Sequence, residues 1–251
     1  HFVSYISVGL WHYYLCSQDI DFIQQCWPMV EKALSFVLSA QEPTGHIYWA
    51  VDKDGHWHQD CLYTALCCIY KSLTCGIQLA QLLNKTVHWE HPQTRLLTAI
   101  QSYPTGFNRT WDSKDHFAMN WFYPIISGVM NNQEAVTRVY SRWNDFVIKD
   151  YGCLCHVGQP WVTIAETAEL ILACTAINKH SKAVYLLENI LQFKHTDGSF
   201  WMGYNYKEQQ LWPLIRPTWT IAAVILAIDS LIQQSTGAPI FSLQPTKVLQ
   251  S

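Results

Sequence analysis

The sequence CLYTALCCIYKSLTCGIQLAQLL, from Cys61 to Leu83, contains a single charged side chain, Lys71. A segment of this length suits a helix, and a helix that is apolar on all sides is buried on all sides. Trp161 to Ile177 has the same character, with two glutamates in its first half, and so does Trp219 to Ile232, where Asp229 is the one charged residue. The sequence therefore predicts three helices that are surrounded by protein.

Helices with one apolar stripe lie between these buried segments. In Gln133 to Ile148 the apolar residues recur with the period of a surface helix. Ser181 to Phe193 and Asp21 to Ala40 follow the same pattern, and Pro28 suits a first helical turn. Further helical segments are predicted at His1 to Cys16, Leu96 to Ser102 and Phe117 to Val129, the last of them buried.

The alternation of buried and surface helices predicts the fold class. A double-layered ring of helical hairpins needs inner and outer helices in turn, whereas a simple bundle needs only one-stripe helices. We therefore predict an all-α protein, an α/α toroid of the six-hairpin type with roughly nine or ten helices. A closed ring needs about twelve helices, and His1 stands inside an uncapped helical pattern, so we expect the ring to be incomplete at its N-terminus. Residues 1–251 are expected to form one domain with a disordered or extended tail from about 236 to 251.

Four long connections each lead into a buried helix, so we expect them at one rim of the ring. Long ordered loops are usually functional, and these are rich in tryptophan. Helix N-termini at the same rim favour oxygen-rich or anionic groups. The four connections are Glu42 to Gln59, Tyr103 to His116, Lys149 to Pro160 and Lys194 to Pro217.

Two of these loops share a pattern of glutamine, turn glycine and aromatic residue. One extends from Gln41 through Gly45 to Trp49, and the other from Gln192 through Gly198 to Trp201. Glycine permits the turn, and the glutamine amide can bond backbone groups at the helix end. The pattern resembles the Gln-x-Gly-x-Trp repeat of the squalene cyclase and protein prenyltransferase superfamily.

A more specific resemblance covers nearly the whole chain and is to a bacterial family catalogued as "prenyltransferase". It implies an α/α toroid whose N-terminal part is absent here, and it says less about activity. One position departs from the family, which usually has Asp where Asn120 stands. The segments that carry the resemblance are Trp27 to Leu38, Ile69 to Leu73, Pro160 to Thr167, Asp197 to Tyr204 and Thr218 to Ala223.

The chemistry of that superfamily is not evident in the residues. The sequence has no Asp-x-Asp-Asp motif of the kind that squalene-type cyclases use as acid. Asp60 and Cys61, near His56 and His58, are the one cluster that invites a metal, but their spacing does not suit a tetrahedral site. We expect Asp60 to cap a helix that begins at Cys61, and we predict no metal and no cofactor.

The chain is also similar to six-hairpin glycosidases, which place a pair of carboxylates beside aromatic platforms. Glu166 is the strongest candidate for general acid or base, because it lies early in a nearly uncharged helix; Glu169 follows one turn later. Arg216 is a possible partner of Glu166, and a purely structural ion pair between them is the alternative. The candidates for the second carboxylate are Asp60, Asp112 and Asp197, although Asp197 also suits a turn before Gly198. The predicted substrate-binding residues are Asn120, Trp121, Tyr123, Trp161, Trp201, Tyr204, Trp212, Arg216 and Trp219.

Composition excludes several classes of protein. A hydrophobic content of 49% argues against disorder, and a net charge of −3 without a basic cluster argues against a nucleic-acid partner. No apolar segment is long enough for a membrane span. Nine cysteines, an odd number, favour a reduced, cytoplasmic compartment.

Three functions remain open. The leading hypothesis is an enzyme with glycoside hydrolase-like acid–base chemistry on a sugar or glycoconjugate. The alternatives are a prenyltransferase-like or terpenoid cyclase-like protein that acts on an isoprenoid, and a scaffold without catalytic activity. In the first two cases the partner is an oligosaccharide or isoprenoid in the central cavity, held in part by aromatic side chains.

Overall fold

The computed structural model describes residues 1–243. Helices make up 56% of the structure, with nine α-helices in its described part and very small sheets. This confirms the predicted all-α class and agrees with an α/α toroid. The described chain divides into two compact units, one from His1 to Ser113 and one that begins at Lys114. The expectation of one domain over 1–251 stays a prediction.

Unit 1 (residues 1–113) contains four α-helices and one turn of 3₁₀ helix. The buried helix α3 packs against α1, α2 and α4, as its apolar sequence predicts. Pro28 lies in the middle of α2, so its predicted first-turn position was wrong; the helix begins earlier, where Asp19 accepts a hydrogen bond from the Phe22 N–H at 3.0 Å. The helices are α1 (Ile6–Ser17), α2 (Ile20–Leu38), α3 (Tyr63–Leu82), α4 (Glu90–Ser102) and the 3₁₀ helix Pro104–Gly106.

Unit 2 (residues 114–243 of the described chain) contains five α-helices, five short strands and a 3₁₀ helix. Its central helix α7 packs against α5, α8 and α9. The helices are α5 (Ala118–Ile126), α6 (Asn132–Phe146), α7 (Ile164–Ala176), α8 (His180–Leu191), α9 (Thr218–Ile232) and the 3₁₀ helix Ala238–Phe241. The strands are β1 (Val147–Ile148), β2 (Gly152–Cys153), β3 (Trp161–Thr163), β4 (Gly203–Asn205) and β5 (Gln210–Leu211).

The strands of unit 2 bring two of the long connections together. β3 pairs antiparallel with β4, which pairs with β5, and β1 pairs with β2. The loop from 149 to 160 therefore meets the loop from 194 to 217 in front of α7. In unit 1 the other two connections also meet, since Arg109 pairs with Glu42. A common rim for all four connections stays a prediction.

The glutamine–glycine turns form as expected. Gln41 donates to the Gly45 and Pro92 carbonyls at 3.0 and 2.9 Å, and Gln192 donates to the Asp150 and Asn189 carbonyls at 2.8 and 2.7 Å. Gly45 and Gly198 have φ values of 95° and 90°, a conformation that favours glycine. The pattern is therefore a structural device that closes each hairpin.

Helix α5 is fixed to α6 by three hydrogen bonds. Pro124 has no N–H, so the carbonyl of Asn120, four residues earlier, lacks a donor within the helix. Arg138 of α6 donates to that oxygen at 2.8 Å and to the Trp121 carbonyl at 2.7 Å. The Trp121 indole in return donates to the Arg138 carbonyl at 2.7 Å. These bonds set the register of α5, which carries Asn120 and Tyr123.

Helix α9 differs from its prediction as a helix buried on all sides. Thr220, Val224 and Ala227 face the protein, whereas the side chains of Trp219 and Ile225 are 58% and 59% exposed. The apolar composition of α9 therefore reflects an uncovered apolar face as well as a buried one.

The end of the described chain is ordered. Ala238, Ile240 and Phe241 are buried in a 3₁₀ helix that packs against α7 and α9. The predicted disordered or extended tail from about 236 does not hold for this part, because apolar side chains anchor it; residues 244–251 lie outside the described residues.

Two further predictions concern the membrane and the cysteines. No helix in residues 1–243 is both long and apolar enough to cross a bilayer. None of the nine cysteines, all of which lie in the described part of the chain, is in a disulfide. The cytoplasmic location stays a prediction.

Candidate active site

The first turns of α7 carry two glutamates. Strand β3 leads directly into the helix, so Glu166 stands in the first helical turn and Glu169 one turn later. Residues three apart share a face of a helix, with Cβ atoms about 5–6 Å apart. Neighbours such as Thr167, Leu170 and Ile171 are buried and anchor the helix. The two carboxyl groups therefore form one acidic pair, which we call the Glu166–Glu169 pair.

Glu169 has an unusual electrostatic environment. The Tyr123 hydroxyl of α5 donates to Glu169 Oε1 at 2.9 Å. Burial raises the pKa of Glu169 to about 8, and the charge of Glu166 adds to the rise, while the hydrogen bond from Tyr123 opposes it. This environment favours the protonated form of Glu169 near neutral pH.

A thiol lies beside Glu166. Cys155 lies in the loop before β3, where its carbonyl accepts a bond from Ala118 N–H at the start of α5. Burial, followed by the charge of Glu166 and a hydrogen bond with that carboxylate, raises the pKa of Cys155 to about 12. The thiol is protonated, so it serves as a weak donor and not as a nucleophile.

The position of strand β2 beside α7 depends on one glycine. Gly152 has a φ of 132°, and a Cβ on it would lie 2.7 Å from Thr167 Oγ1. Thr167 needs that space because its hydroxyl accepts from Cys153 N–H at 2.8 Å and donates to the Thr163 carbonyl at 2.6 Å. These bonds hold strand β2 against the first turn of α7.

The predicted substrate-binding residues on α5 take different positions. Trp121 is fully buried, which corrects its predicted contact with substrate: its indole is needed to fix α5 to α6. Asn120 is buried, and its amide N–H donates to Asp115 at 2.6 Å, while Oδ1 has no hydrogen-bond partner among the described residues. Tyr123 lies against Glu169.

Aromatic side chains lie on and beside the β3–β4–β5 sheet, whose strand β3 leads into α7. The Trp161 indole donates to the Trp212 carbonyl at 2.6 Å, and the two rings meet edge to face at 5.2 Å. Tyr204 stacks on Tyr151 at 5.3 Å. Trp212 is 55% exposed, so its ring is available to a ligand.

Arg216 and Asp197 form a separate cluster. The guanidinium of Arg216 bonds Asp197, lies 2.7 Å from both His195 Nδ1 and Ser199 Oγ, and lies over the Trp201 ring at 5.2 Å. Hydrogen bonds from Ser199, then from Arg216, hold the pKa of Asp197 far below its usual range. Asp197 is thus a fixed carboxylate that closes the Gly198 turn. No ion pair in residues 1–243 joins Arg216 to Glu166, so that predicted partnership was wrong: Arg216 is already engaged.

In unit 1, Asp60 holds two loops together. Its carboxylate accepts from the backbone N–H groups of Cys61, Arg109 and Thr110 at 2.6, 3.0 and 2.6 Å, and from the Thr110 hydroxyl at 2.7 Å. Burial alone would raise the pKa of Asp60, but these bonds lower it overall. The helix begins at Tyr63 with Leu62 as N-cap, so Asp60 does not cap it. The remaining candidate, Asp112, is exposed.

Asp60→Asn is expected to lower the free energy of unfolding by on the order of 3 kcal/mol, because an amide leaves buried donors without acceptors. Urea denaturation measures the change, with the exposed Asp54→Asn as control. Since the fold lowers the pKa of Asp60, its contribution is present above the ordinary pKa and is lost as the pH falls below it. An equal loss in both variants would contradict this structural role.

Comparison with known proteins gives one clear relationship. A protein from Mycolicibacterium hassiacum named MMP endo-(1,4)-3-O-methyl-alpha-D-mannosidase is 38% identical to this chain over 242 residues, which cover 96% of the chain and 66% of that protein. This chain is a relative of a glycosidase. No family model matches the chain. A solved structure described as a novel alpha-amylase from Clostridium perfringens aligns with a TM-score of 0.58 at 13% identity, over 95% of this chain and 74% of that one, which shows a shared fold alone.

These findings support the predicted glycosidase resemblance of the chain. The resemblance to the family catalogued as "prenyltransferase" and an isoprenoid ligand have no support from either comparison. Residues 1–243 contain no group of three or more His, Cys, Asp or Glu side chains that could hold a metal ion. The sequence predicted both glutamates of the pair as candidate site residues but did not predict that Cys155 lies beside them. Cys155 reaches Glu166 because of the conformation of the loop before β3, and the spacing of apolar residues does not predict the conformation of a loop.

Proposed function

We propose that this glycosidase relative supplies acid–base residues of a glycoside hydrolase that cleaves an α-linked mannoside. The observation that carries the proposal is the Glu166–Glu169 pair, which sits in the first turns of α7 beside Tyr123. Because the chain spans 66% of the length of the mannosidase, the proposal assigns these residues a part in the activity and leaves the complete activity to the whole protein.

Glu166 is the member of the pair that we assign to the chemistry. Glycoside hydrolysis needs a carboxyl group that gives a proton to the leaving oxygen or takes one from water. Both side chains are half-buried, but Glu169 is bonded to Tyr123, whereas Glu166 lies nearer the N-terminal end of α7. Glu166 therefore exchanges the proton with the substrate.

Exposed aromatic rings near the same end of unit 2 suit a sugar substrate. Trp212 and Trp219 are 55% and 58% exposed, and a sugar ring packs its C–H face on an indole while its hydroxyl groups bond polar neighbours. Asp197 and Asp60 are unsuited to the role of second carboxylate, because each is occupied by the bonds that hold its loops.

Incubation of the protein with three α-1,4-linked oligosaccharides tests the proposal: 3-O-methylmannose, mannose and glucose oligomers of equal length. Reducing ends are expected from the methylated mannoside at a rate at least about tenfold above that from the glucan, since discrimination between sugars of this kind is worth about 1–3 kcal/mol. Release from none of the three would contradict a hydrolase. Release of reducing ends from the glucose oligomer alone would contradict the proposal that the substrate is a mannoside.

A further inference from the structure

A cavity lies in unit 2 beside helices α6 and α8 and strand β1. Its volume is about 480 Å³, which is within the range of sites that hold a small organic ligand. It shares no lining residue with the candidate active site. Its polar and aromatic lining residues are Trp143, Asn144, Lys149, Ser181, Lys182 and Tyr185. We call it the α6–α8 cavity.

Aromatic rings hold the ammonium group of Lys182 at the wall of this cavity. Lys182 Nζ lies 3.6 Å from the centre of the Trp143 ring and 4.8 Å from the centre of the Tyr140 ring. The attraction between a cation and the face of an aromatic ring limits the positions that a flexible lysine side chain adopts. Lys179 Nζ lies 6.0 Å from the centre of the Tyr140 ring. Two cations near the start of α8 are therefore positioned by rings of α6.

The positive charge at the α6–α8 cavity is not neutralised by carboxylates. Within residues 1–243, no ion pair involves Lys149, Lys179 or Lys182. None of the described lining residues is acidic, and Asp145 of α6 is already paired with Arg142 at 3.1 Å. Burial also lowers the pKa of Lys182, because its cation has lost part of its water. The cavity therefore presents uncompensated positive charge in a chain whose net charge is −3.

The lining residues also offer hydrogen-bond donors. The Tyr185 hydroxyl oxygen accepts from the Asp150 N–H at 3.0 Å, so its own proton is available to a ligand. Asn144 and Ser181 are exposed and bring an amide and a hydroxyl group. A lysine ammonium has three donors and no acceptor. These groups suit a ligand rich in acceptor oxygens, and an anionic oxygen forms the stronger bonds with a cation.

We propose that the α6–α8 cavity binds a sugar-sized molecule that carries a phosphate or carboxylate group, with this oxyanion held by Lys149 and Lys182. Asn144, Ser181 and Tyr185 then bond the hydroxyl groups of the same molecule. The inference goes beyond the proposed function and does not rest on it, because none of these residues takes part in the chemistry assigned to Glu166.

Isothermal titration calorimetry of the full chain tests the inference, with mannose 6-phosphate, mannuronate, inorganic phosphate and uncharged mannose as probes. We expect at least one of the two acidic sugars to bind with a Kd of about 1 mM or lower. Mannose should bind at least about tenfold more weakly, since it lacks the charge. Binding of one acidic sugar alone identifies the oxyanion as a phosphate or as a carboxylate, and binding of both shows that the lysines accept either group.

Two lysine variants test the location of the site. Lys149→Gln, at an exposed residue, and Lys182→Gln should each weaken binding of the acidic sugar at least about tenfold, because each loses a hydrogen bond between charged groups. Lys207→Gln removes an exposed lysine of unit 2 outside the cavity, and this matched control should leave the Kd unchanged.

Four results overturn the inference, whether or not the protein cleaves oligosaccharides. Neither acidic sugar binds, or mannose binds as tightly as they do. Binding of the acidic sugar is unchanged in both Lys149→Gln and Lys182→Gln, which places it elsewhere on the protein. Inorganic phosphate binds as tightly as mannose 6-phosphate, which shows that the cavity does not recognise the sugar.

Discussion

On the proposed function, Glu166→Gln is expected to lower kcat by about 10³-fold on any oligosaccharide that the protein cleaves, because an amide can neither give nor take the proton of the reaction. The substitution keeps the shape of the side chain, so we expect KM to change by less than about threefold. Initial rates of reducing-end release measure both constants. Glu166 is half-buried in the first turn of α7, and the melting temperature is expected to stay close to that of the parent protein.

The control for this variant is Glu188→Gln on α8, where the side chain is exposed. It removes the same charge from unit 2 and is expected to leave kcat unchanged. Retention of more than about a tenth of the parent kcat in Glu166→Gln would remove Glu166 from the chemistry. Equal losses in the two variants would show that the effect comes from net charge.

Glu169→Gln is expected to make the stability of the protein less sensitive to alkaline pH. In the folded state burial raises the pKa of Glu169 to about 8, from an ordinary value of 4.5. Between these values the folded state binds the extra proton, so stability falls as the pH rises through this range. Glutamine does not titrate, and the variant should gain on the order of 3 kcal/mol relative to the parent between about pH 5 and pH 9, after allowance for partial exposure.

Urea denaturation of both proteins at several pH values measures this difference. The gain should be small near pH 5, where Glu169 is neutral in the folded state and partly so in the unfolded state, and largest above pH 8, where the parent must bury a charge. Glu188→Gln again serves as control and should follow the parent at each pH. A difference that is constant with pH, or that grows toward acid pH, would show that Glu169 does not hold the proton.

The spacing of apolar residues was sufficient to predict where the helices lie, but not which of their faces are covered by other parts of the protein. The segment 61–83 became the buried helix Tyr63–Leu82, and 181–193 became His180–Leu191, because apolar spacing reports which sides of a helix need cover. The same reasoning failed for α9, since an apolar residue such as Ile225 has the same sequence signal whether it is covered or exposed. It also missed β3, which the sequence pattern joined to α7.

The candidate site was predictable only where position along a helix fixes it. Glu166 and Glu169 follow from the 3.6-residue period. The partners of Arg216 and Asp60 lie in loops distant in sequence, at Asp197 and at Thr110, and hydrogen bonds between loops leave no periodic trace. Charge alone therefore suggested catalytic roles for side chains that the structure uses to hold loops together.

The bonds between Arg138 and α5 also bear on how this part of the molecule can vary. Arg138 donates hydrogen bonds to the Asn120 and Trp121 carbonyls. These bonds, and not the connection between α5 and α6 (residues 127–131), hold Tyr123 opposite Glu169. Ser127 and Val129 in this connection are buried and Asn131 caps α6, so we expect insertions to be tolerated beside the exposed Gly128, where they lengthen the link and leave the acidic pair in place.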